Sequence, residues 1–328
     1  MKRREFITLV GSATVWPLTA RAQQSARMPR LGVLVQGQKG QLLGNWEAFT
    51  DALKRLGWSD GKNIQIEYRF GENDPVKIHD FAAELVRLKP DIIFASNTLV
   101  VAELHHETKT IPIVFVSVTD PVASGFVASL SHPGGNITGF SNFEPTLIGK
   151  HIELLKEIIP RITAVSDMFN PDANPAHVSS VYPVLEAAAR HHAVELFPAP
   201  VRNDADIERV ISSLGDKPTT GLIVAGEPFL NVRLDLITSL TIRYRVVSVC
   251  PFRYFVERGC LISYGSDLIE QYGKAATYID RILKGANSAD LPVQAPTKFE
   301  MVINLKTAKA MGLSIPPTLL TRADEVIE

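Results

Sequence analysis

Short apolar runs alternate with amphipathic segments along the first part of the chain. The run at 31–35 is apolar or small throughout, which is typical of a strand buried on both faces of a sheet. A segment from Trp46 to Leu56 follows, with its large apolar residues on one helical face. A strand of alternating polarity at 64–70 and apolar runs at 91–95 and 111–116 complete four predicted strands. This alternation predicts a parallel, doubly wound sheet.

The same alternation begins again in the second part of the chain. Predicted strands at 164–168 and 221–225 correspond to those at 31–35 and 91–95, at an offset of about 130 residues. The other predicted elements of this half are helices at 178–192 and from Asn203 onward, and strands at 194–198 and 246–250. Side-chain identity between the halves is low, so the repeat is one of architecture and predicts two similar lobes.

Three extended segments connect the halves, at 133–141, 259–267 and 297–304, and helices are predicted after the first two. We expect hinge closure between rigid lobes at these segments rather than free tumbling. The predicted fold is α/β, with two doubly wound parallel-sheet lobes joined by a three-segment hinge. The predicted lobe boundaries are 29–142 plus 268–298 for the N-terminal lobe and 143–267 plus 299–328 for the C-terminal lobe.

The first 22 residues have the layout of a secretory signal peptide. A basic start at 2–4 precedes an uncharged run from Phe6 to Leu18, and small residues flank Arg21 at the cleavage position. The Arg3-Arg4 pair fits the twin-arginine export pattern, with a Sec signal as the alternative. No cysteine stands at the cleavage position, which argues against a lipid anchor. We therefore expect an exported, soluble protein, without membrane insertion of the mature chain.

Composition excludes several classes of protein. A hydrophobic fraction of 45% and a charged fraction of 21% are those of a folded globular chain. Loss of four basic residues and Glu5 with the leader would change the formal net charge from −1 to −4. The chain therefore lacks the excess of positive charge that is typical of nucleic-acid-binding proteins. The two cysteines cannot supply a four-ligand zinc site. In an oxidising compartment Cys250 and Cys260 can form one disulfide, and two buried thiols are the alternative.

Motifs for catalysis are absent from the sequence. It contains no G-x-S-x-G, no H-E-x-x-H and no P-loop, and the glycines after the first strand do not have dinucleotide-binding spacing. The pairs His105-His106 and His191-His192 stand on predicted helices and are interpreted as solvated surface residues. The sequence therefore predicts a protein that is not an enzyme and has no cofactor and no metal site.

Candidate binding residues are found by position, because ligands of doubly wound sheets bind beyond the carboxyl ends of the strands. With two lobes face to face, these ends are expected to line one cleft. The candidate ligand-binding residues are Gln36, Ser96, Asn97, Thr98, Thr119, Asp120, Asn142, Phe169, Asn170, Glu227, Phe229, Tyr264 and Asp267.

These residue types suit a small zwitterion or carboxylate. Ser96 and Thr98, with nearby backbone N–H groups, are suited to a carboxylate. An ammonium group would pair with one of three acids, and an aromatic body would lie among aromatic side chains. The acids are Asp120, Glu227 and Asp267, and the aromatic residues are Phe169, Phe229, Phe252 and Tyr264. Alternatively, Asp120 and Glu227, each followed by Pro, are helix caps, Asn170 belongs to a turn, and the aromatic residues are lobe core.

Several motifs together resemble one known family. They are the segments 118–122 (VTDPV) and 133–139 (PGGNITG), and the tail with 303–308 (INLKTA), 312–316 (GLSIP) and 323–327 (ADEVI). In this combination the chain resembles ABC transporter substrate-binding proteins related to bacterial tryptophan/tyrosine uptake systems, over residues 29–328. The resemblance implies a type I periplasmic-binding-protein fold and a ligand enclosed by hinge motion. It also implies delivery to an ABC permease of the inner membrane with its cytoplasmic ATPase.

The resemblance places several of the candidate residues in the cleft. They are Ser96, Asn97, Thr98, Asp120, Asn142, Asn170, Tyr264 and Asp267. It does not identify the ligand, because members of the family differ in specificity.

The predicted function is that of a periplasmic solute receptor for an ABC importer, with an amino-acid-like or aromatic carboxylate ligand bound between the lobes. The alternative is a ligand-sensing receptor that presents its closed state to a signalling membrane protein. An exported enzyme on the same scaffold would need a nucleophile–base pair or a metal cluster, and the sequence shows neither. The ligand, the oligomeric state and the export route stay open at this point.

Overall fold

A computed structural model of the chain describes residues 27–39, 43–142, 144–173, 177–215 and 217–328. The predicted signal peptide at 1–22 lies outside these ranges. Among the residues described, no helix has both the length and the apolar character needed to cross a membrane.

The first sheet has five strands, all parallel, in the order β2-β1-β3-β4-β5. Its strands are β1 (Arg30–Val35), β2 (Gln65–Phe70), β3 (Ile92–Ser96), β4 (Ile113–Val118) and β5 (Ile137–Ser141), and its connecting helices are α1 (Leu43–Arg55), α2 (Pro75–Arg87) and α3 (Thr98–Glu107). Strands β1, β3, β4 and β5 are almost wholly buried because helices cover both faces, whereas the edge strand β2 is only partly buried.

The second sheet has seven strands in the order β12-β11-β10-β9-β8-β6-β7, with β10 and β11 antiparallel and the other pairs parallel. Its strands are β6 (Ala164–Phe169), β7 (Glu195–Pro200), β8 (Thr220–Val224), β9 (Ser248–Cys250), β10 (Ile262–Ser266), β11 (Phe299–Asn304) and β12 (Glu325–Ile327). The helices of this half are α4 (Pro145–Ile158), a π-helix (His177–Val181), α5 (Tyr182–His191), α6 (Asp204–Gly215), α7 (Pro228–Asn231), α8 (Leu234–Tyr244), α9 (Arg253–Glu257), α10 (Leu268–Leu283), a 3₁₀ turn (Ser288–Asp290), α11 (Leu305–Met311) and α12 (Pro317–Arg322).

Helix α10 belongs by packing to the first sheet, although it follows β10 in the chain. It lies against α1 and against β3, β4 and β5. Its Tyr272 and Ile279 share a core with Phe49 and Phe94, and α2 and α3 cover the opposite face. We call the five-stranded sheet with α1–α3 and α10 the first lobe, and the seven-stranded sheet with its remaining helices the second lobe.

The chain passes between the lobes at three places. It leaves β5 for α4, it leaves β10 for α10, and it returns through 294–298 to β11. In the return segment the Gln294 carbonyl accepts from Ser141 N at 2.9 Å, and the Lys298 carbonyl accepts from Asp267 N at 3.0 Å. The predicted class, two doubly wound lobes joined by a three-segment hinge, is confirmed. The residue boundaries assigned to each lobe stay a prediction.

Two local differences from the sequence-based prediction have clear causes. The end of the segment 133–141, predicted only as a crossing, forms β5 beside β4, because its backbone pairs in register with Ile113–Val116. The helix predicted at 178–192 begins with one π-helical turn before α5. This turn carries His177, which bonds to Asp167, and Ser180, which bonds to Asp120 of the first lobe. Such π-turns are frequent at functional sites.

The structure contains the Cys250–Cys260 disulfide, one of the two alternatives left open by the sequence. The bond connects the end of β9 with the residue two positions before β10, and both sulfurs lie in the core of the second lobe. It therefore closes a short loop around α9, which carries Arg253 and Tyr254 at the wall of the site described next.

Candidate functional site

A cleft of about 750 Å³ lies where the carboxyl ends of the strands of both lobes face each other. The first lobe contributes residues that follow β1, β3 and β4, and α10 adds Tyr272. The second lobe contributes residues that follow β8 and β9. Of the predicted binding residues, those that line the cleft are Gln36, Ser96, Asn97, Thr98, Thr119, Asn142 and Glu227. We use "the cleft" for this cavity throughout.

The other predicted residues lie elsewhere. Tyr264 lines a smaller chamber next to the cleft, described below. The remaining five line neither cavity: Asp120, Phe169, Asn170, Phe229 and Asp267. Phe169 stacks on the His177 ring with a centroid distance of 4.6 Å, and Phe229 lies 3.8 Å below the Arg233 guanidinium.

Two of the predicted ammonium partners use both carboxylate oxygens within the protein. Asp120 accepts from Ala123 N at 2.9 Å with one oxygen and from the Ser180 hydroxyl at 2.9 Å with the other. Asp267 caps the first turn of α10 and pairs with Lys298 Nζ at 2.8 Å. Asn170 likewise accepts two backbone N–H groups of the following turn. The capping and turn alternatives thus describe what these side chains do here.

Glu227 both lines the cleft and caps a helix. Its carboxylate accepts from Phe229 N at 2.9 Å and from Leu230 N at 3.2 Å at the start of α7. Only 1% of the residue is exposed, and this burial raises the pKa of Glu227 to about 7, although the N–H donors oppose the shift. The carboxyl group therefore changes its charge near neutral pH.

Two tyrosines from different lobes lie at the cleft wall. Tyr272 of α10 is hydrogen-bonded to Ser96, and burial raises the pKa of its phenol to about 12. Tyr254 of α9 is hydrogen-bonded to Asn231, and burial together with the nearby Tyr272 and Glu227 raises the pKa of Tyr254 above its ordinary value. Both phenols are uncharged at neutral pH and act as neutral hydrogen-bonding groups.

Two asparagines of the cleft have an atom without a hydrogen-bond partner in the described structure. These atoms are Nδ2 of Asn45, a donor from the first lobe, and Oδ1 of Asn231, an acceptor from the second. Buried polar atoms are normally paired, so each is a candidate contact for a ligand. Sequence reasoning missed both. A signal for Asn45 exists, because it shares the apolar face of α1 with Phe49 and Leu53.

The arginines of the second-lobe wall are already paired with acids. Arg253 contacts Glu257 at 3.0 Å and Glu300 at 3.5 Å, and also bonds to Glu325. Arg258 pairs with Asp235 at 2.6 Å. These cations are compensated, so the neutral donors around 96–98 are better suited to receive a carboxylate.

Backbone conformation at the first-lobe wall is unusual. Asn73, Asn97 and Ser117 line the cleft with φ angles of 62°, 86° and 59°, a region that non-glycine residues rarely occupy. Ser117 lies where the pairing of β4 with β5 is irregular. Strained residues of this kind concentrate at ligand sites, where surrounding contacts hold them in place.

A side chamber of about 90 Å³ adjoins the cleft. It lies between α4, the π-helix and the carboxyl ends of β6, β8 and β10. We use "the side chamber" for this cavity. Its boundary includes His151, Asp167, His177 and Tyr264, and Ser266 lies at its β10 end. In the described part of the chain, no group of three or more His, Cys, Asp or Glu side chains is placed to hold a metal ion.

Comparisons with known proteins agree with this architecture. A family model described as "ABC transporter substrate binding protein" matches residues 32–327. A curated relative, a tyrosine-binding protein of Clostridioides difficile (strain R20291), is 29% identical over 275 residues, which is 81% of this chain and 76% of the relative.

Solved structures extend the comparison. A conserved domain protein from Vibrio cholerae O1 biovar El Tor is 28% identical with a TM-score of 0.83, over 91% of this chain and 99% of that one. A Streptococcus ABC domain in complex with L-Trp has the same TM-score and the same coverage at 24% identity. At this level of identity the similarity is evidence for a shared fold and for nothing beyond it. The ligand-free, open structure of a Clostridium difficile substrate-binding protein is 25% identical with a TM-score of 0.70, again over 91% of this chain and 99% of that one.

Proposed function

This chain belongs to the family of ABC transporter substrate-binding proteins, and we propose that it is the periplasmic receptor of an ABC importer for an amino-acid-like or aromatic carboxylate ligand. The observation that carries the proposal is the cleft of about 750 Å³, to which both lobes contribute polar groups and aromatic rings. The tyrosine-binding relative supports the amino-acid class.

The ligand carboxylate is assigned to the first-lobe wall. Ser96 and Thr98 line the cleft where α3 begins, and the first N–H groups of a helix favour negative charge. The unpaired Nδ2 of Asn45 supplies a further donor on the same lobe. An aromatic or apolar body then has Phe252 and Tyr254 of the second lobe as its surface.

Binding is coupled to closure of the lobes. A ligand held by donors of the first lobe and by Asn231, Phe252 and Tyr254 of the second stabilises the arrangement in which the lobes are close together. The three crossing segments allow this motion without large rearrangement inside either lobe. The closed form is what the membrane permease with its ATPase would recognise.

The test is calorimetric titration of the purified protein with the common amino acids, aromatic acids and a set of sugars. We expect at least one amino acid or aromatic acid to bind with micromolar or tighter affinity. Thr98→Val should weaken that binding about 5- to 10-fold, because it removes one hydrogen bond. The matched control is Thr277→Val, since this exposed hydroxyl bonds only to its own helix. Binding of sugars alone, or equal affinity of Thr98→Val and wild type, would contradict the proposal.

A further inference from the structure

The side chamber has no role in the function proposed so far. Helix α4 forms one wall with Leu147 and Ile148, and Val181 and Leu185 continue the apolar surface. Four residues line both the chamber and the cleft, so the two cavities adjoin each other. They are Thr119, Asn142, Gly226 and Phe252. A ligand in the cleft therefore lies next to the chamber.

Asp167 is a buried acid at the boundary of this chamber. The residue lies within β6 and is 0% exposed. Its Oδ2 is 2.7 Å from His177 Nε2, and its Oδ1 has no hydrogen-bond partner in the described structure. Burying a carboxylate oxygen away from water without a hydrogen-bond donor costs free energy. A bound molecule that donates a hydrogen bond to Oδ1 would remove this cost.

A second unpaired polar atom lies at the same chamber. Ser266 is 2% exposed at the end of β10, and its hydroxyl oxygen has no partner among the residues described. His151, across the chamber, has its Nε2 2.7 Å from the Tyr264 carbonyl. Burial lowers the pKa of His151, so at neutral pH its ring is uncharged and donates this hydrogen to the carbonyl. The polar surface therefore combines a carboxylate oxygen and a hydroxyl with a neutral imidazole.

The acids predicted from the sequence to bind an ammonium are less suitable. Asp120, Glu227 and Asp267 each have both oxygens engaged by backbone N–H groups, a hydroxyl or a lysine. Asp167 lines a cavity of about 90 Å³ with largely apolar walls, and its buried Oδ1 has no hydrogen-bond partner among the residues described. Those walls suit a short aliphatic stem, and the carboxylate oxygen suits a charged N–H donor.

We propose that the side chamber is a subsite for a protonated primary amine on a short aliphatic stem, whose N–H groups donate to Asp167 Oδ1 and Ser266 Oγ. The amine belongs to the ligand held in the cleft, and in this respect the inference rests on the proposed function. Ligands of this protein are then primary amines, and the group opposite the amine remains in the cleft.

The test uses n-propylammonium chloride as probe, with n-propanol as its neutral match and sodium chloride as the ionic-strength control. We expect 50 mM propylammonium to raise the melting temperature of the wild type by about 2 °C or more. A crystal structure with the probe should show its nitrogen within hydrogen-bond distance of Asp167 Oδ1. Neither propanol nor sodium chloride should give this shift.

Two variants separate binding from folding. Asp167→Asn should abolish the shift, and Ser266→Ala should reduce it while leaving the Asp167–His177 pair intact. The control variant is Glu208→Gln, an exposed change on α6, which should keep the full shift. Equal shifts with propanol and propylammonium, or a chamber that holds only water, overturn the proposal.

A competition experiment assigns the amine to the ligand. Propylammonium should weaken binding of an amino acid that occupies the cleft and leave binding of its des-amino analogue unchanged. If it binds without competing, the assignment to the ligand is wrong. If no amino acid or aromatic acid binds at all, the proposed function fails and the assignment of the amine to such a ligand fails with it. The probe shift and the probe structure still decide whether the chamber takes an amine, so the two failures are distinguishable.

Discussion

Glu227 is a buried acid whose pKa is raised from its ordinary value of 4.5 to about 7. The folded protein therefore holds the proton more tightly than the unfolded chain does between these values. It follows that the contribution of Glu227 to the free energy of unfolding decreases as pH rises from about 4.5 to about 7 and is constant above that. Because this residue also lines the cleft, the charge of the binding surface changes near pH 7, where the carboxyl group of the folded protein loses its proton.

The prediction at this residue is that Glu227→Gln removes a pH-dependent loss of stability. Between pH 5 and 8 the wild type should lose roughly 1–3 kcal/mol more than the variant, because a change of one pKa unit corresponds to about 1.4 kcal/mol. Urea denaturation at four pH values measures the difference. Glu208→Gln, an exposed substitution, should follow the wild-type profile. Parallel profiles for Glu227→Gln and wild type would show that Glu227 is ionised throughout this range.

The positions of several residues at the cleft were predictable because a positional rule applies to them. Ser96, Asn97 and Thr98 were placed by the rule that ligands bind beyond the ends of parallel strands, and they line the cleft. Asp167 was not predicted, although an acid inside an apolar strand is a visible signal in the sequence. The sequence does not show which of several acids keeps a free oxygen, since that depends on donors contributed by distant segments.

At the scale of elements, the strands at the crossings place glycines against neighbouring backbone. Gly265 of β10 has no space for a side chain, because an added Cβ would lie 1.7 Å from the Pro251 carbonyl oxygen. Gly139 of β5 has φ 154°, and there an added Cβ would lie 2.1 Å from the Phe115 carbonyl oxygen. Both crossing strands thus depend on close approach to the main chain of a neighbouring strand or loop.

We predict that Gly265→Ala lowers the free energy of unfolding by about 2–4 kcal/mol, because the added methyl group displaces backbone in a packed core. The matched control is Gly135→Ala, where an added Cβ would meet no atom within 4 Å. Urea denaturation of both variants measures the difference. Equal stability of the two would mean that β9 and β10 separate at little cost.

For the whole molecule, one direct contact between the lobes stands out. Asp120 follows β4 in the first lobe, and its carboxylate accepts the Ser180 hydroxyl of the π-helix in the second lobe at 2.9 Å. A hydrogen bond to a charged acceptor that crosses a hinge favours the close arrangement of the lobes. The same π-turn also places His177 beside Asp167 in the side chamber, so it makes one contact with the first lobe and one with β6.

Loss of this contact should shift the protein toward an open arrangement. Ser180→Ala is expected to increase the radius of gyration of the ligand-free protein in small-angle scattering and to weaken ligand binding about 3- to 10-fold. Ser213→Ala is the matched control, because this exposed hydroxyl bonds to its own helix. An unchanged radius together with unchanged affinity would show that the contact does not bias the hinge.

The sequence by itself determined the architecture. The strands predicted at 31–35 and 164–168 coincide with β1 and β6 almost to the residue. The run at 31–35 can be recognised locally, because burial on both faces of a parallel sheet demands a continuous apolar run. The repeat of this pattern predicted two doubly wound lobes, and the motifs predicted the family to which the chain belongs.

Only the tertiary structure decided which side chains meet in the cavities. Tyr272 lies in the fold beside Ser96 because α10 crosses back to the first lobe, and Asp120 bonds to the π-helix because the lobes face each other. Among the residues that the structure describes, the same arrangement leaves atoms of Asn45, Asn231 and Asp167 without hydrogen-bond partners. The physical reason is that hydrogen bonding and burial at a site depend on atoms contributed by segments far apart in the chain. The periodicity of apolar residues indicates only which face of each segment is buried.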